Sequence, residues 1–263
     1  MKDEDKKDIL RELTEARRSD AALREAEIPF EAMQARARLA PPPRDFAAAL
    51  RGGGVIAELK RASPSEGMIR DDFRHVELAR ELESADAAAL SVLCEPHRFL
   101  GNEEYLSDVR RAVGLPLLYK DFLSTRYQVA AARAAGADAV LLIAAVLDDD
   151  ALADLLAYAH DLGMAALVET HDEGEIARAV ASGAKVVGVN CRDLRNFSTD
   201  VSLLEALVGK IPDSCVRVAE SGMHTADAIR RAKSAGADAF LVGTALMRAT
   251  RPGEKLTELI SNL

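Results

Sequence analysis

Tryptophan is absent from this 263-residue chain, aromatic residues reach only 4%, and cysteine occurs three times. Cys94, Cys191 and Cys215 are widely spaced and odd in number, so they form neither a disulfide framework nor a zinc pattern, and they point to a reducing compartment. Positive charge is also short: the net charge is -9, and no basic stripe runs along any segment, which excludes nucleic acid as a partner. An anionic substrate would therefore need cations placed locally. The longest apolar run, Ala139 to Leu147, is far below the roughly 20 residues that span a bilayer. The start, MKDEDKKDIL, is charged and lacks an apolar signal core, so a soluble, cytoplasmic protein without membrane contact is expected. His75, His97, His160, His171 and His224 share no metal-ligand spacing and read as surface or loop residues; no metal or cofactor is implied.

What the chain does contain is a hydrophobic fraction of 49%, dominated by Ala, Leu and Val, which suits helices packed on a parallel sheet. Residues 2–50 read as helical, with Ile9, Leu10 and Leu13 apolar among charges, a second segment over 31–39 and a Pro41-Pro42-Pro43 break. Gly52-Gly53-Gly54 leads into a strand instead of opening a helix, so it is a poor phosphate cradle. From there strands near 54–60, 87–93, 116–120, 138–143, 164–169, 185–190, 215–220 and 238–243 alternate with helical segments over 73–83, 125–135, 149–162 and 225–235. AGADA recurs at 135–139 and 235–239, each time closing a helix with Gly and starting an apolar strand. Eight such units predict an α/β fold, a (β/α)8 TIM barrel over 51–263, preceded by a helical extension over 1–50 that packs on it. The rival, an open doubly wound sheet, would carry a glycine fingerprint after an early strand, and none is present.

In a barrel of this kind the loops after the strands build the site. Glu58 and Lys60, two apart on the first strand, project to one side. The third strand ends in Lys120 with Phe122 just beyond, the fifth in Glu169, the sixth in Asn190 with Arg192 following, and the seventh in Glu220, Ser221 and Gly222. Gly243 and Thr244 end the eighth. Taken alone, each has a plain reading as an ion pair, turn residue or solvated charge; together they converge on one rim. Ser221-Gly222 and Gly243-Thr244 put small residues where backbone N–H groups can approach an anion, and Ser63 can add a hydroxyl.

The text IAELKRASPSEG at 56–67, LSVLCEP at 90–96, PLLYKDF at 116–122, LVETHDEGE at 167–175, GVNCRDLRNF at 188–197, VAESGMHT at 218–225 and AFLVGTALMR at 239–248 resembles the indole-3-glycerol phosphate synthase family over essentially the whole chain. The resemblance implies a cofactor-independent lyase of tryptophan biosynthesis. Such an enzyme closes the indole ring of 1-(2-carboxyphenylamino)-1-deoxyribulose 5-phosphate with loss of carbon dioxide and water. It implies Lys120 as principal general acid, and Glu58, Lys60, Glu169, Asn190 and Ser221 as further catalytic positions. Phosphate would lie at Ser63, Gly222, Gly243 and Thr244, the substrate carboxylate at Arg192, and Phe122 would line the aromatic pocket. Ring closure needs an acid at a ketone oxygen, and dehydration then needs a second acid and a base. Lys60 or Glu169 is expected to assist water loss and Glu58 to remove the proton. Cys94, Cys191 and Tyr119 depart from the family's usual residues beside these positions, and Cys191 would confer thiol-reagent sensitivity if its sulfur were accessible. Two other readings stay open: a barrel isomerase or Schiff-base aldolase using Lys120 or Lys60, and a non-catalytic phosphate-binding barrel.

Overall fold

The computed structural model describes residues 8–192 and 201–261. Eight parallel strands close into a barrel: β1 (Gly54–Leu59), β2 (Ala89–Leu93), β3 (Leu117–Lys120), β4 (Ala139–Ile143), β5 (Ala165–Thr170), β6 (Val186–Asn190), β7 (Val216–Glu220) and β8 (Ala239–Val242). Each pairs with its sequence neighbours, and β8 closes on β1 through Gly54↔Ala239 to Ala57↔Val242. The expected strands all stand within about two residues of these bounds. A short antiparallel ribbon, Ala62–Ser63 with Gly67–Met68, shapes the loop after β1.

Strand alternation divides the core in two. Ile56, Ala89, Leu118, Leu141, Leu167, Val186, Val218 and Leu241 fill the barrel interior. Their neighbours Val55, Leu90, Leu117, Val140, Val168, Val187, Ala219 and Phe240 face the helices. Both faces of every strand are covered, which is why the strands read as near-continuous apolar runs.

Three helices precede the barrel: α1 (Asp8–Glu27), α2 (Phe30–Leu39) and α3 (Phe46–Leu50), with the Pro41-Pro42-Pro43 break falling between the last two. Helix α2 buries Met33 and Ala37, and Phe46 and Leu50 of α3 join the interior cluster just before β1 begins. Around the barrel run α4 (His75–Ser84), α5 (Glu103–Ala112), α6 (Arg126–Ala134), α7 (Asp149–Asp161), α8 (Glu173–Ala181), α9 (Val201–Leu207), α10 (Ala226–Ser234), α11 (Thr244–Arg248) and α12 (Pro252–Ile260). Side-chain caps fix the starts of α5, α6, α7, α8 and α10: Asn102, Thr125, Asp148, Asp172 and Thr225 each accept a backbone N–H from the first turn of the helix that follows. Among the described residues no helix is long and apolar enough to cross a membrane.

Candidate active site

All twelve residues that the sequence singled out line one cavity at the C-terminal mouth of the barrel: Glu58, Lys60, Ser63, Lys120, Phe122, Glu169, Asn190, Arg192, Ser221, Gly222, Gly243 and Thr244. Alternation explains the convergence, since Glu58, Lys120, Glu169, Asn190 and Glu220 each occupy the last inward position of their strands or nearly so. Residues 193–197 of the matched text GVNCRDLRNF lie outside the described residues.

Lys120 is the centre of charge. Its Nζ lies 3.3 Å from Glu220 Oε2, 3.7 Å from Glu169 Oε2 and 3.9 Å from Glu58 Oε1. Burial pushes its pKa down, but Glu220, Glu169 and Glu58 together outweigh that and raise it, so it stays an ammonium. Glu58 meets Lys60 at 2.6 Å; burial disfavours its charge, yet Lys60, Lys120 and Arg192 hold its pKa below the ordinary value. Glu169 behaves likewise: burial is overcome by Lys120, His171 and Asn190, and the group is held ionised. Glu220 goes the other way. Burial and the neighbouring Glu169 charge outweigh Lys120 and push it up to about 8, so near neutral pH it carries a proton.

Two glycines make room for these carboxyls. A Cβ on Gly188 would overlap Glu220 Oε1, and one on Gly243 would overlap Glu58 Oε2 and sit 3.0 Å from Lys60 Nζ. Gly243 therefore has a steric duty beside any role towards an anion.

The mouth has two unlike walls. Leu10 of α1, Leu93, Phe99, Phe122, Leu141 and Ile143 form an apolar side, with the Phe99 and Phe122 rings 6.1 Å apart. Phe99 is positioned by the buried Glu95, which accepts backbone N–H groups from His97, Arg98 and Phe99 at 2.7–2.8 Å. Opposite stand Ser63, Ser221, Gly222, Gly243 and Thr244. Ser221 and Gly222 take consecutive positive φ values of 63° and 74°; for the serine this is a sparsely populated conformation held by the surrounding loop. At the rim Arg192 donates from Nη1 to Ser65 Oγ at 2.7 Å, while its backbone N–H donates to Asn190 Oδ1 at 3.0 Å.

Sequence reasoning noted Glu220 at the end of β7 but assigned it no role; its contact with Lys120 needs the folded geometry. Leu10, Phe99 and Ser65 gave no signal, being ordinary residues until the barrel brings them to the mouth. Two of the histidines are loop residues, as expected, but lie at the site: the exposed His224 lines the cavity, and His171 sits behind Glu169. Tyr119 points away from the mouth, its hydroxyl donating to Glu103 at 3.3 Å, and Cys94 and Cys191 are buried. Cys191 at 1% exposure does not present the accessible sulfur that thiol sensitivity requires.

The family model described as indole-3-glycerol phosphate synthase matches residues 10–259. An indole-3-glycerol phosphate synthase of Roseiflexus sp. (strain RS-1) is 45% identical over 262 residues, covering 95% of this chain and 97% of that protein. One of Rhodococcus opacus (strain B4) is also 45% identical, over 256 residues, covering 96% of this chain and 95% of its own. Among solved structures, a 3-hexulose-6-phosphate synthase superposes with a TM-score of 0.65 at 17% identity, covering 78% of this chain and 97% of that one, which is a likeness of fold alone.

Proposed function

The chain belongs to the indole-3-glycerol phosphate synthase family, and from that premise we propose that it converts 1-(2-carboxyphenylamino)-1-deoxyribulose 5-phosphate to indole-3-glycerol phosphate by acid-base catalysis. The observation that carries this reading is one ammonium, Lys120, set among Glu58, Glu169 and Glu220 between an apolar wall and a wall of small residues. The carboxyphenyl ring fits the Leu10, Phe99 and Phe122 side, and the phosphate fits Ser63, Gly222, Gly243 and Thr244. Arg192 exchanges Ser65 for the substrate carboxylate. Held at both ends, the flexible sugar chain folds so that its ketone carbon meets the aryl carbon, an orientation effect that reaches about 7–11 kcal/mol at its ceiling.

Lys120 donates a proton to the ketone oxygen as the carbon-carbon bond forms, and Glu169, held ionised, offsets positive charge on the nitrogen side of the ring. Carbon dioxide then leaves and the ring becomes aromatic. Loss of the hydroxyl needs a second proton, which Lys60 supplies; Glu58, ionised and 2.6 Å from Lys60, takes the proton from the ring carbon. Of the two groups expected to assist water loss, Glu169 is the less suited, because its neighbours hold it deprotonated. Asn190 and Ser221 orient substrate, and neutral Glu220 acts as a hydrogen-bond donor. The Schiff-base alternative requires a neutral amine, and the ionised Glu58 and Glu169 beside Lys120 work against one there.

We read residues 51–263 as the catalytic barrel, residues 1–50 as its extension and the setting as cytoplasmic. Incubating the protein with the carboxyphenylamino substrate tests the reaction directly. Indole fluorescence appears if the reading is right, and folded protein that yields no such product refutes it.

A further inference from the structure

The loop leaving β5 holds a chain of three ionisable groups. Glu169 turns Oε2 towards Lys120, while its Oε1 lies 3.5 Å from His171 Nε2. The other ring nitrogen, Nδ1, is 3.2 Å from Glu175 Oε2, the same oxygen that accepts the His171 backbone N–H at 2.8 Å. Glu175 is itself anchored in the first turn of α8, where its N–H donates to the capping Asp172 at 2.8 Å. The ring thus stands between a carboxylate pinned by a helix cap and a carboxylate that faces the reacting centre. Its Nε2 is buried and, among the described residues, has no hydrogen-bond partner; it faces Glu169 Oε1.

We propose that His171 is a positioning residue for Glu169: braced by Glu175, its ring fixes both the orientation and the charge of the carboxylate that faces Lys120. This rests on the acid-base reading above. The titratable groups facing the ring are Glu169 from β5, Glu175 from α8 and Glu220 from β7, all acidic, with Glu220 protonated near neutral pH. Burial disfavours the imidazolium, but Glu175 and Glu169 outweigh burial and raise its pKa, so the ring is cationic where Glu169 titrates. A cation at this distance lowers the carboxylate pKa, and its removal raises it.

The test compares the wild type with His171→Gln and with Glu175→Gln, whose amide oxygen keeps an acceptor for the residue 171 backbone N–H. Log kcat/KM is followed against pH, and the Glu169 carboxyl is titrated by 13C NMR in the free enzyme. In His171→Gln the acid limb and the NMR midpoint both move up by about one pH unit, giving a loss that approaches about tenfold at pH values well below the wild-type midpoint and stays under about threefold at pH 8. Glu175→Gln moves them the same way by less. Superimposable limbs and midpoints, or a fall of equal size at every pH, overturn the proposal. The NMR midpoint is independent of turnover: a wild type that forms no indole product refutes the reaction, whereas an unmoved midpoint refutes the clamp.

Discussion

Lys120 lies within 3.9 Å of three carboxylates, so removing it deletes a proton donor and leaves Glu58, Glu169 and Glu220 facing one another without it. Lys120→Ala is expected to lower kcat by about 10²- to 10⁴-fold, the usual span for a general acid, with KM changed far less because its work is done in the transition state. Single-turnover fluorescence separates the two. Glu220 gives a pH signature. Its pKa rises from 4.5 to about 8 on folding, so between those values the native state holds a proton that the unfolded state has lost. Its contribution to stability is therefore complete below 4.5, falls as pH rises, and is gone above about 8. Activity follows the same group, since ionised Glu220 repels an anionic substrate. Glu220→Gln should abolish the descending limb of kcat/KM near pH 8 and flatten the fall in urea-midpoint stability across the same window. A limb that persists in the variant assigns it to another group; any pKa read from the wild type belongs to the Glu169–Glu220 pair together. At this scale the sequence showed which groups are charged but not their protonation. Glu58, Glu169 and Glu220 are the same kind of strand-end residue, and only the distances to Lys60, Lys120 and each other set them apart.

Two strand-helix-strand elements one hundred residues apart repeat more than their AGADA text. Thr125 caps α6 and Thr225 caps α10; Gly136 and Gly236 follow those helices with φ of 101° and 108°, a left-handed turn suited to glycine. Asp138 then accepts the Leu117 N–H at 2.8 Å, and Asp238 the Arg217 N–H at 2.9 Å, each stitching its strand to the preceding one. At the other ends of these elements Lys120 and Glu220 hold equivalent positions and meet across the mouth. The repeat was legible because helix stops and strand starts are local chemistry. The load on each aspartate was not. Asp138 is fully buried and also accepts from the Arg44 N–H and twice from Arg110 Nη1, whereas Asp238 is only half-buried. Asp138→Ala should cost about 3–5 kcal/mol by stranding Arg110 and two N–H groups, and Asp238→Ala about 1–3. Urea denaturation measures both. Because these residues sit at the opposite end of the strands from the mouth, the folded fraction of each variant should keep its kcat; equal costs at the two sites would show that the extra bonds of Asp138 add nothing.

Across the molecule, the acidic chain concentrates Lys60, Lys120 and Arg192 in a single mouth, which answers the shortage of positive charge noted from composition. What composition and periodicity could not show is how α1 enters that mouth. Leu10 lines the apolar wall, and two turns later Arg17 donates from Nε and Nη2 to the buried Asp121 carboxylate at 2.8–3.0 Å, beside Lys120 and Phe122 in the chain. Arg17 also meets Asp20, which holds His97, and Arg24 pairs with Glu103, so the helix is tied to the loops after β2 and β3 that carry Phe99 and Phe122. A guanidinium and a carboxylate separated by a hundred residues carry no local mark of their partnership. Breaking one side leaves the other buried and unpaired, a cost of about 3–5 kcal/mol, whereas removing both is cheaper than the sum. Arg17→Ala should therefore destabilise the protein strongly and raise KM, because the wall that receives the carboxyphenyl ring loses its brace. Asp121→Ala should do the same, and the double variant should recover stability relative to their sum while KM stays high. A cycle in which the two stability losses simply add would show that Arg17 and Asp121 act independently and that α1 is held to the mouth by its apolar contacts instead.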